Sequence, residues 1–221
     1  MSQAVRFVDA QPSQRAVVAL KQGPVGLHCG IFFRASDEAL RILHLAFHYQ
    51  LAVDHSFDGW AYVAPQIDPI ELGVLAGFCS LLNSVQPGIP YGFEYQASKF
   101  DDEGRFVPGP GESGLTCTTF VLAVFKWARL ALLIPETWQS RTEDVEAQRR
   151  LIVFLQRAAS PQHVAAVEAE VGCMRFRSEE AAAATAMTPR PVGFPEASAA
   201  GVQVRASFES CMTTRSNGAT R

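Results

Sequence analysis

The sequence predicts an α+β fold, in which strands occupy the first third of the chain and helices follow. Two observations lead to this prediction. Short runs rich in apolar and β-branched residues, separated by turn residues, fill the chain as far as about residue 65. Beyond that point the apolar residues recur at helical spacing, and the first helical segment opens with Asp68 as N-cap and Pro69 at its first position.

Five segments carry the strand pattern, each bounded by loop or turn residues. They are AVRFVDA at 4–10, RAVVAL at 15–20, LHCGIFF at 27–33, RILHLAFHYQL at 41–51 and WAYVAP at 60–65. Successive side chains of a strand point to opposite faces of the sheet. Alternation therefore places His28 and Cys29 on opposite faces, and it places His44 and His48 on one face.

Five later segments carry the helical pattern: 68–85, 115–133, 141–158, 160–172 and the short 178–187. The segment 86–114 is rich in glycine and proline and predicts a long, ordered surface loop. Periodicity is lost after residue 188. We therefore expect one domain over 1–188 and an irregular, partly disordered tail over 189–221.

Composition excludes several classes of function. The 221 residues carry a formal net charge of −3 and no dense Lys/Arg face, so we expect no nucleic-acid partner. No stretch of about 18 uncharged apolar residues occurs, so we expect no stable membrane insertion. The N-terminal residues lack the apolar block of a signal peptide, which predicts a cytoplasmic location and leaves open export by a route without one. No cofactor is expected, and the oligomeric state is not predicted.

The five cysteines suggest reactive thiols rather than structural pairs. They are odd in number, none forms a CxxC motif, and their positions are Cys29, Cys79, Cys117, Cys173 and Cys211. This pattern indicates reduced thiols and offers neither a zinc knuckle nor a thioredoxin-type pair.

Cys117 is the cysteine whose position favours reactivity. It lies in GLTCTTFV, at the start of an apolar helical pattern, where unpaired N–H groups and the helix dipole stabilise a thiolate. Ser113, Gly114 or Thr116 could cap this helix. The same N–H groups could form an oxyanion hole near Thr116 and Thr118. The alternative interpretation is that Cys117 is a small core residue, as free cysteines usually are.

A reactive cysteine needs a base, and histidine has a suitable pKa. His28 and His44 lie in two successive apolar strands, and antiparallel pairing could bring them side by side. One would then serve as the base and the other would orient it. The alternative is that both are buried histidines with structural partners.

The chain resembles the circularly permuted papain-like thiol hydrolases in three motifs: LHCGIFF, LHLAF and GLTCTTFVL. These hydrolases are the permuted branch of the NlpC-like superfamily. That branch also includes relatives of lecithin retinol acyltransferase. Family members have a histidine in an H-x-G-[IV]-[FY] strand, a polar residue on the next strand and a cysteine that opens a helix. His28, His44 and Cys117 match these three elements in order. The resemblance covers roughly residues 23–135.

The resemblance implies a papain-like, circularly permuted fold, in which an antiparallel sheet packs against a helical layer that carries the nucleophile. It implies a cysteine peptidase or amidase that acts on a peptide or other acyl-bearing substrate through a Cys–His acyl-enzyme. His28 would be the base and His44 would hold its tautomer. Thr116 and Thr118 would lie at the oxyanion site, and Tyr91 would line the cleft. Loop aromatics such as Tyr91 could instead simply pack on the core.

Three alternatives remain at this stage. The same residues could support acyl transfer or deamidation, because the acceptor and not the site decides between transfer and hydrolysis. The papain-like fold could serve as a binding module without catalysis. A zinc site built from His44, His48 and Cys117 is disfavoured, because residues four apart on a strand are about 13 Å apart at ~3.3 Å per residue.

Overall fold

The computed structural model describes the backbone of residues 5–7 and 13–218 and the side chains of residues 13–213. This part of the chain has an α+β architecture. Its main sheet has six antiparallel strands in the order β1-β6-β2-β3-β4-β5, and a two-stranded hairpin lies apart from it. The strands are β1 Val5–Phe7, β2 Ala16–Gly23, β3 Gly26–Arg34, β4 Leu40–Phe47, β5 Gln50–Asp54, β6 Ala61–Val63, β7 Lys99–Phe100 and β8 Phe106–Val107.

Six α-helices follow β6 in the described residues. They are α1 Pro69–Val85, α2 Cys117–Trp127, α3 Thr142–Leu155, α4 Pro161–Ala169, α5 Ser178–Thr185 and α6 Phe194–Gly218. The predicted start of α1 is confirmed, because the Asp68 carboxylate accepts the N–H of Ile70 at 2.8 Å. No helix of the described chain is long and apolar enough to cross a membrane.

Different groups of residues pack on the two faces of the main sheet. Odd-numbered residues of β3, such as Cys29 and Ile31, belong to the large core that includes α1, α2, α5 and α6. Even-numbered residues such as Phe32 belong to a smaller cluster around Trp60 on the other face. The helix that carries Cys117 therefore packs on the face opposite to Trp60.

Two predicted element boundaries differ from the structure. The run 41–51 is not one strand, because the chain turns at His48 and Tyr49, where Tyr49 has a φ of 55°, and returns as β5. Helix α2 ends at Trp127 rather than near 133, because Arg129 adopts a left-handed φ of 60°. Both positions are non-glycine residues in a conformation that few side chains favour, so no turn residue marks either position in the sequence.

The expected irregular tail is wrong for most of its length. Residues 194–218 form α6, which packs against α5 through Ala197, Val204 and Phe208. Buried positions are sparse along α6. Gly201 lies among them and packs closely on α5, since a Cβ on Gly201 would stand 3.0 Å from Cγ of Glu180. Few apolar residues and a central glycine explain why the sequence pattern did not predict a helix.

The segment 86–114 is mostly irregular, as predicted, but it is not merely a surface loop. It contains the β7–β8 hairpin, and its aromatic residues Tyr91, Phe93 and Tyr95 are buried. Carboxylates accept backbone N–H groups of this segment. Glu170, for example, accepts the N–H groups of Phe93 at 2.6 Å and Ser113 at 2.8 Å.

Candidate active site

Cys117 is the first residue of α2. Thr116 is the N-cap: its hydroxyl accepts the N–H of Thr119 at 3.1 Å, and the Thr119 hydroxyl accepts the N–H of Thr116 at 2.8 Å. This reciprocal pair fixes the helix start. Cys117 is partly exposed, whereas the rest of α2 anchors in the core. The thiol is thus held at the exposed end of a buried helix.

Tyr91 lies beside Cys117 because two loop segments pair there. The N–H of Leu115 donates to the carbonyl of Pro90 at 2.9 Å, just before Cys117. Gly92 and Gly114 make this approach possible: a Cβ on Gly114 would stand 2.0 Å from the Pro90 carbonyl oxygen, and one on Gly92 would stand 2.3 Å from the Gly114 nitrogen.

His28 and His44 lie on the neighbouring strands β3 and β4, on the face of Trp60. The β3–β4 ladder covers Ile31–Arg34 and Leu40–Leu43, so both histidines lie just beyond its end. His28 Nε2 is 2.8 Å from His44 Nδ1. Gly30, between them, permits this contact, because a Cβ there would stand 2.7 Å from Cβ of His44.

Asp54 and Trp60 extend the histidine pair into a chain of contacts. His44 Nε2 is 3.4 Å from Asp54 Oδ1, which is within ion-pair distance although the direction is too poor for a hydrogen bond. The Trp60 indole N–H donates to Asp54 Oδ2 at 3.1 Å. If His28 Nε2–H donates to His44 Nδ1, then His44 carries its proton on Nε2, facing the carboxylate. Nδ1 of His28 remains for Cys117.

The electrostatics of this group favour a thiolate–imidazolium pair. A hydrogen bond with Cys29 lowers the pKa of Cys117, burial opposes it, and the charge of His28 lowers it further, so that the pKa is well below its ordinary value of 9.0. Burial lowers the pKa of His28, but the charge and hydrogen bonding of Cys117 outweigh it and the pKa is raised from 6.5. The pKa of His44 is lowered by burial and by the charge of His28, so His44 stays neutral.

Comparison of the chain with family models, with curated proteins and with solved structures found no match. The chemistry of the site therefore follows from its own residues and their contacts.

Cys29 supports the thiolate from the buried face of β3. It is fully buried, and its proximity is the largest cause of the lowered pKa of Cys117. Its thiol donates to the hydroxyl of Thr118, with Sγ 3.8 Å from Oγ1. The pKa of Cys29 is itself raised, mainly by burial and then by the neighbouring Cys117, so this thiol stays protonated and can donate. Alternation along β3 places Cys29 opposite to His28, and Cys117 contacts both at the end of the ladder.

Thr116 and Thr118 occupy the predicted place but have other partners. The N–H of Thr116 is taken by Thr119. The hydroxyl of Thr118 is buried and pairs at 3.0 Å with that of Ser178, which in turn donates to the Leu27 carbonyl at 2.8 Å. The threonine hydroxyls thus have structural roles. The N–H groups of Cys117 and Thr118 lie in the first turn of α2, where an N–H group has no partner within the helix.

A cavity of about 300 Å³ opens at the thiol. Cys117, His28, Tyr91 and Arg175 line it together with Thr116 and Thr118, and its other walls are largely apolar. The apolar walls include Leu27, Leu45, Phe47, Leu151, Phe154 and Phe176. A larger cavity of about 430 Å³ lies near Tyr95 and Leu133, and neither Cys117 nor His28 contributes to it.

Two further histidines hold the Tyr91 backbone. Tyr91 N–H donates to His48 Nδ1 at 3.1 Å, and the Tyr91 carbonyl is 2.7 Å from His163 Nε2. The two imidazole rings are 4.5 Å apart. His48 therefore belongs to the support of the cleft wall and not to the His28–His44 pair.

No sequence pattern indicated that four further residues belong to the candidate site: Cys29, Asp54, Trp60 and Arg175. Asp54 could have been placed only if the β4–β5 hairpin had been predicted. The hairpin turns at His48 and Tyr49, so Asp54 pairs with Ile42 and lies on the same face of the sheet as His44. Among the described residues, no group of three or more His, Cys, Asp or Glu side chains is placed to hold a metal ion.

Proposed function

We propose that this protein is a cysteine-dependent hydrolase that cleaves an amide bond, in a peptide or an isopeptide, through a Cys117 acyl-enzyme. The observation that carries the proposal is the pairing of a low-pKa thiol at a helix start with an imidazole whose pKa is raised. Ordinary buried cysteines behave in the opposite way, as Cys79 does here, where burial raises the thiol pKa.

We also propose that the fold is papain-like and circularly permuted. Its support is the order of elements: the strand with His28 precedes the helix that opens with Cys117, and that helix packs on the antiparallel sheet. Papain-like enzymes in their usual order have the cysteine first, so this order fits the permuted branch.

In the proposed reaction His28 holds the proton that the Cys117 thiol has lost, and the thiolate attacks the carbonyl carbon of the substrate. The S–C bond forms as the carbonyl oxygen becomes an oxyanion. The first-turn N–H groups of α2 stabilise this oxyanion. His28 then donates its proton to the leaving nitrogen, and the C–N bond breaks, leaving a thioester on Cys117.

The second half of the cycle uses the neutral His28 as a base. It removes a proton from water, which attacks the thioester carbonyl and releases a carboxylic acid and the thiolate. His44 and Asp54 act on His28 rather than on the substrate. When His44 carries its own proton on Nε2, its Nδ1 accepts the Nε2–H of His28 and so fixes the tautomer that presents Nδ1 to the thiol.

Acylation of the purified protein tests the proposal directly. We expect 4-nitrophenyl acetate to release nitrophenolate in a burst and to leave an acetyl group on Cys117, located by peptide mass spectrometry. Cys117→Ala should abolish the burst, whereas Cys173→Ala, which removes another partly exposed thiol, should retain it. Absence of an acetyl group on Cys117 in a folded protein would mean that the fold serves binding and not catalysis.

A further inference from the structure

The charge balance around Arg175 distinguishes this residue from the neighbouring arginines. Asp144, nearly fully buried, accepts three guanidinium groups: Arg141 at 2.6 Å, Arg175 at 3.2 Å and Arg177 at 3.0 Å. Arg141 has a second carboxylate in Glu180, and Arg177 has one in Glu143.

Within the part of the chain that the structure describes, Arg175 has no second carboxylate at ion-pair distance. Its positive charge is shared with a single carboxylate that two other arginines also use. It is therefore the member of the cluster whose charge is least compensated.

Arg175 is also the member of the cluster that lines the cavity at Cys117. It reaches across to the β2–β3 turn, where its Nη2 lies 3.9 Å from the position that a Cβ would take on Gly26. The side chain is 23% exposed, so part of it remains accessible to a ligand. Arg175 is also close to Tyr91. Burial and the charge of Cys117 raise the pKa of the Tyr91 hydroxyl, and the charge of Arg175 partly opposes this rise.

The net charge of the cavity follows from these residues. The thiolate of Cys117 and the imidazolium of His28 cancel, and the remaining walls are largely apolar. Arg175 then supplies the cationic donor group of the cavity lining, and a charged hydrogen bond from a guanidinium to a planar anion is strong and specific. A site of this kind fits an apolar acyl group that ends in, or carries, a carboxylate.

We propose that Arg175 selects substrates whose acyl portion carries a carboxylate, so that the protein acts on acidic acyl groups. This inference rests on the proposed function and names its substrate class. The carboxylate could belong to a small dicarboxylic acyl group or to an acidic residue beside the scissile bond of a peptide. Both present the same group to the same guanidinium.

Alkylation by an anionic and a neutral reagent tests the charge of the site without a known substrate. We expect the ratio of the iodoacetate rate to the iodoacetamide rate at Cys117 to exceed the ratio for free cysteine by about tenfold at low salt, and to fall as salt is added. In Arg175→Gln the ratio should fall several-fold while the iodoacetamide rate changes little. Arg175→Lys should retain part of the preference.

Arg177→Gln is the matched control, because it removes the same charge from the same Asp144 without removing a residue that lines the cavity. It should leave the ratio close to that of the unmodified protein. Thermal unfolding of each variant checks that it is folded. The salt dependence of the unmodified protein gives a result even if an Arg175 variant does not fold.

Substrate pairs then identify the source of the carboxylate. Mono-4-nitrophenyl glutarate compared with 4-nitrophenyl butyrate tests a small diacid, and coumarin amides of peptides with Asp or Asn before the scissile bond test an acidic peptide. A faster reaction with the anionic substrate of either pair supports the proposal if Arg175→Gln loses this preference. The pair that shows the preference identifies the source of the carboxylate.

Three results would overturn the proposal: a ratio no greater than that of free cysteine, a ratio unchanged in Arg175→Gln, or an equal loss in Arg177→Gln. If Cys117 reacts rapidly with iodoacetamide but shows no preference for the anion, only the substrate class is wrong. If Cys117 is not the reactive thiol, the proposed function itself fails.

Discussion

Nε2 of His28 lies 2.8 Å from Nδ1 of His44, on a neighbouring strand. Because His44 is neutral and faces Asp54 with its other nitrogen, this contact orders the protons of the whole group. His28 must donate through Nε2, and only Nδ1 is left to exchange a proton with the thiol. The two histidines therefore have unequal roles.

Removal of the two histidines should reveal these roles. We expect His28→Ala to lower kcat by about 10²–10⁴-fold, because the base is lost. His44→Asn or His44→Gln should cost less, since an amide oxygen can still accept the Nε2–H of His28. The double replacement should be little worse than His28→Ala alone. Ester hydrolysis under saturating 4-nitrophenyl acetate measures all of these variants. Equal losses in His28→Ala and His44→Gln would mean that His44 takes part in proton transfer itself.

Asp54 should act through charge on the pKa of His28. The carboxylate raises that pKa, so in Asp54→Asn the imidazolium should lose its proton at lower pH. The alkaline limb of the pH–rate profile should move to lower pH, while Trp60 can still donate to the asparagine oxygen. Asp37→Asn is the control, because it removes an equal charge from an exposed carboxylate that pairs with Arg41. An unchanged profile in Asp54→Asn would remove Asp54 from the site.

Cys29 should stabilise the thiolate by donating a hydrogen bond. We expect Cys29→Ala to raise the pKa of Cys117, because the hydrogen bond with Cys29 is the largest cause of its lowering. Cys29→Ser should keep the pKa low, since a hydroxyl of similar size can donate to the same sulfur. The pH dependence of Cys117 alkylation measures both variants. A pKa that rises equally in both would assign the effect to packing.

His48 should matter for stability more than for turnover. His48→Ala leaves the buried N–H of Tyr91 without an acceptor, which costs about 1–3 kcal/mol. Turnover should change far less than in His28→Ala. His48→Gln should retain most of the stability, which denaturant unfolding measures. A turnover loss larger than that of His44→Gln would place His48 in the catalytic group.

The stability difference between the unmodified protein and His48→Gln should depend on pH. The pKa of His48 is lowered from 6.5 by burial and then by the charge of His163, so as pH falls the unfolded chain takes up this proton first. The contribution of His48 to stability is therefore present above about pH 6.5 and lost below it. The difference in unfolding free energy between the unmodified protein and His48→Gln should shrink as pH falls from 7 to about 5.

Much of this architecture followed from local sequence signals. The alternation of His28 and Cys29, the cap at Asp68 and the helix start at Thr116 are each determined by neighbours within a few residues. The hairpin at His48 and Tyr49 could not be predicted, because a non-glycine residue in a left-handed conformation is held there by tertiary contacts. Asp54 was missed as a consequence.

Long-range contacts set the rest of the site. Arg175 comes into the cavity from the loop between α4 and α5, and Cys29 meets Cys117 because α2 packs on the Cys29 face of β3. Neither contact has a signature in sequence spacing. Helix α6 was missed for a different reason, since it buries few large side chains and packs through small ones such as Ala197 and Gly201.

The pH dependence of Cys117 alkylation by iodoacetamide, followed by peptide mass spectrometry, tests the central claim most directly. We expect Cys117 to react fastest of the thiols at about pH 6, well below the ~8.5 of a free cysteine. Burial, followed by Glu170, raises the pKa of the partly exposed Cys173 to about 12, so it should remain unreacted. In His28→Gln the transition of Cys117 should move up toward 9.0, its ordinary value. A Cys117 that titrates near 8.5–9.0 in the unmodified protein, or a Cys173 that reacts faster, would contradict the thiolate–imidazolium pair.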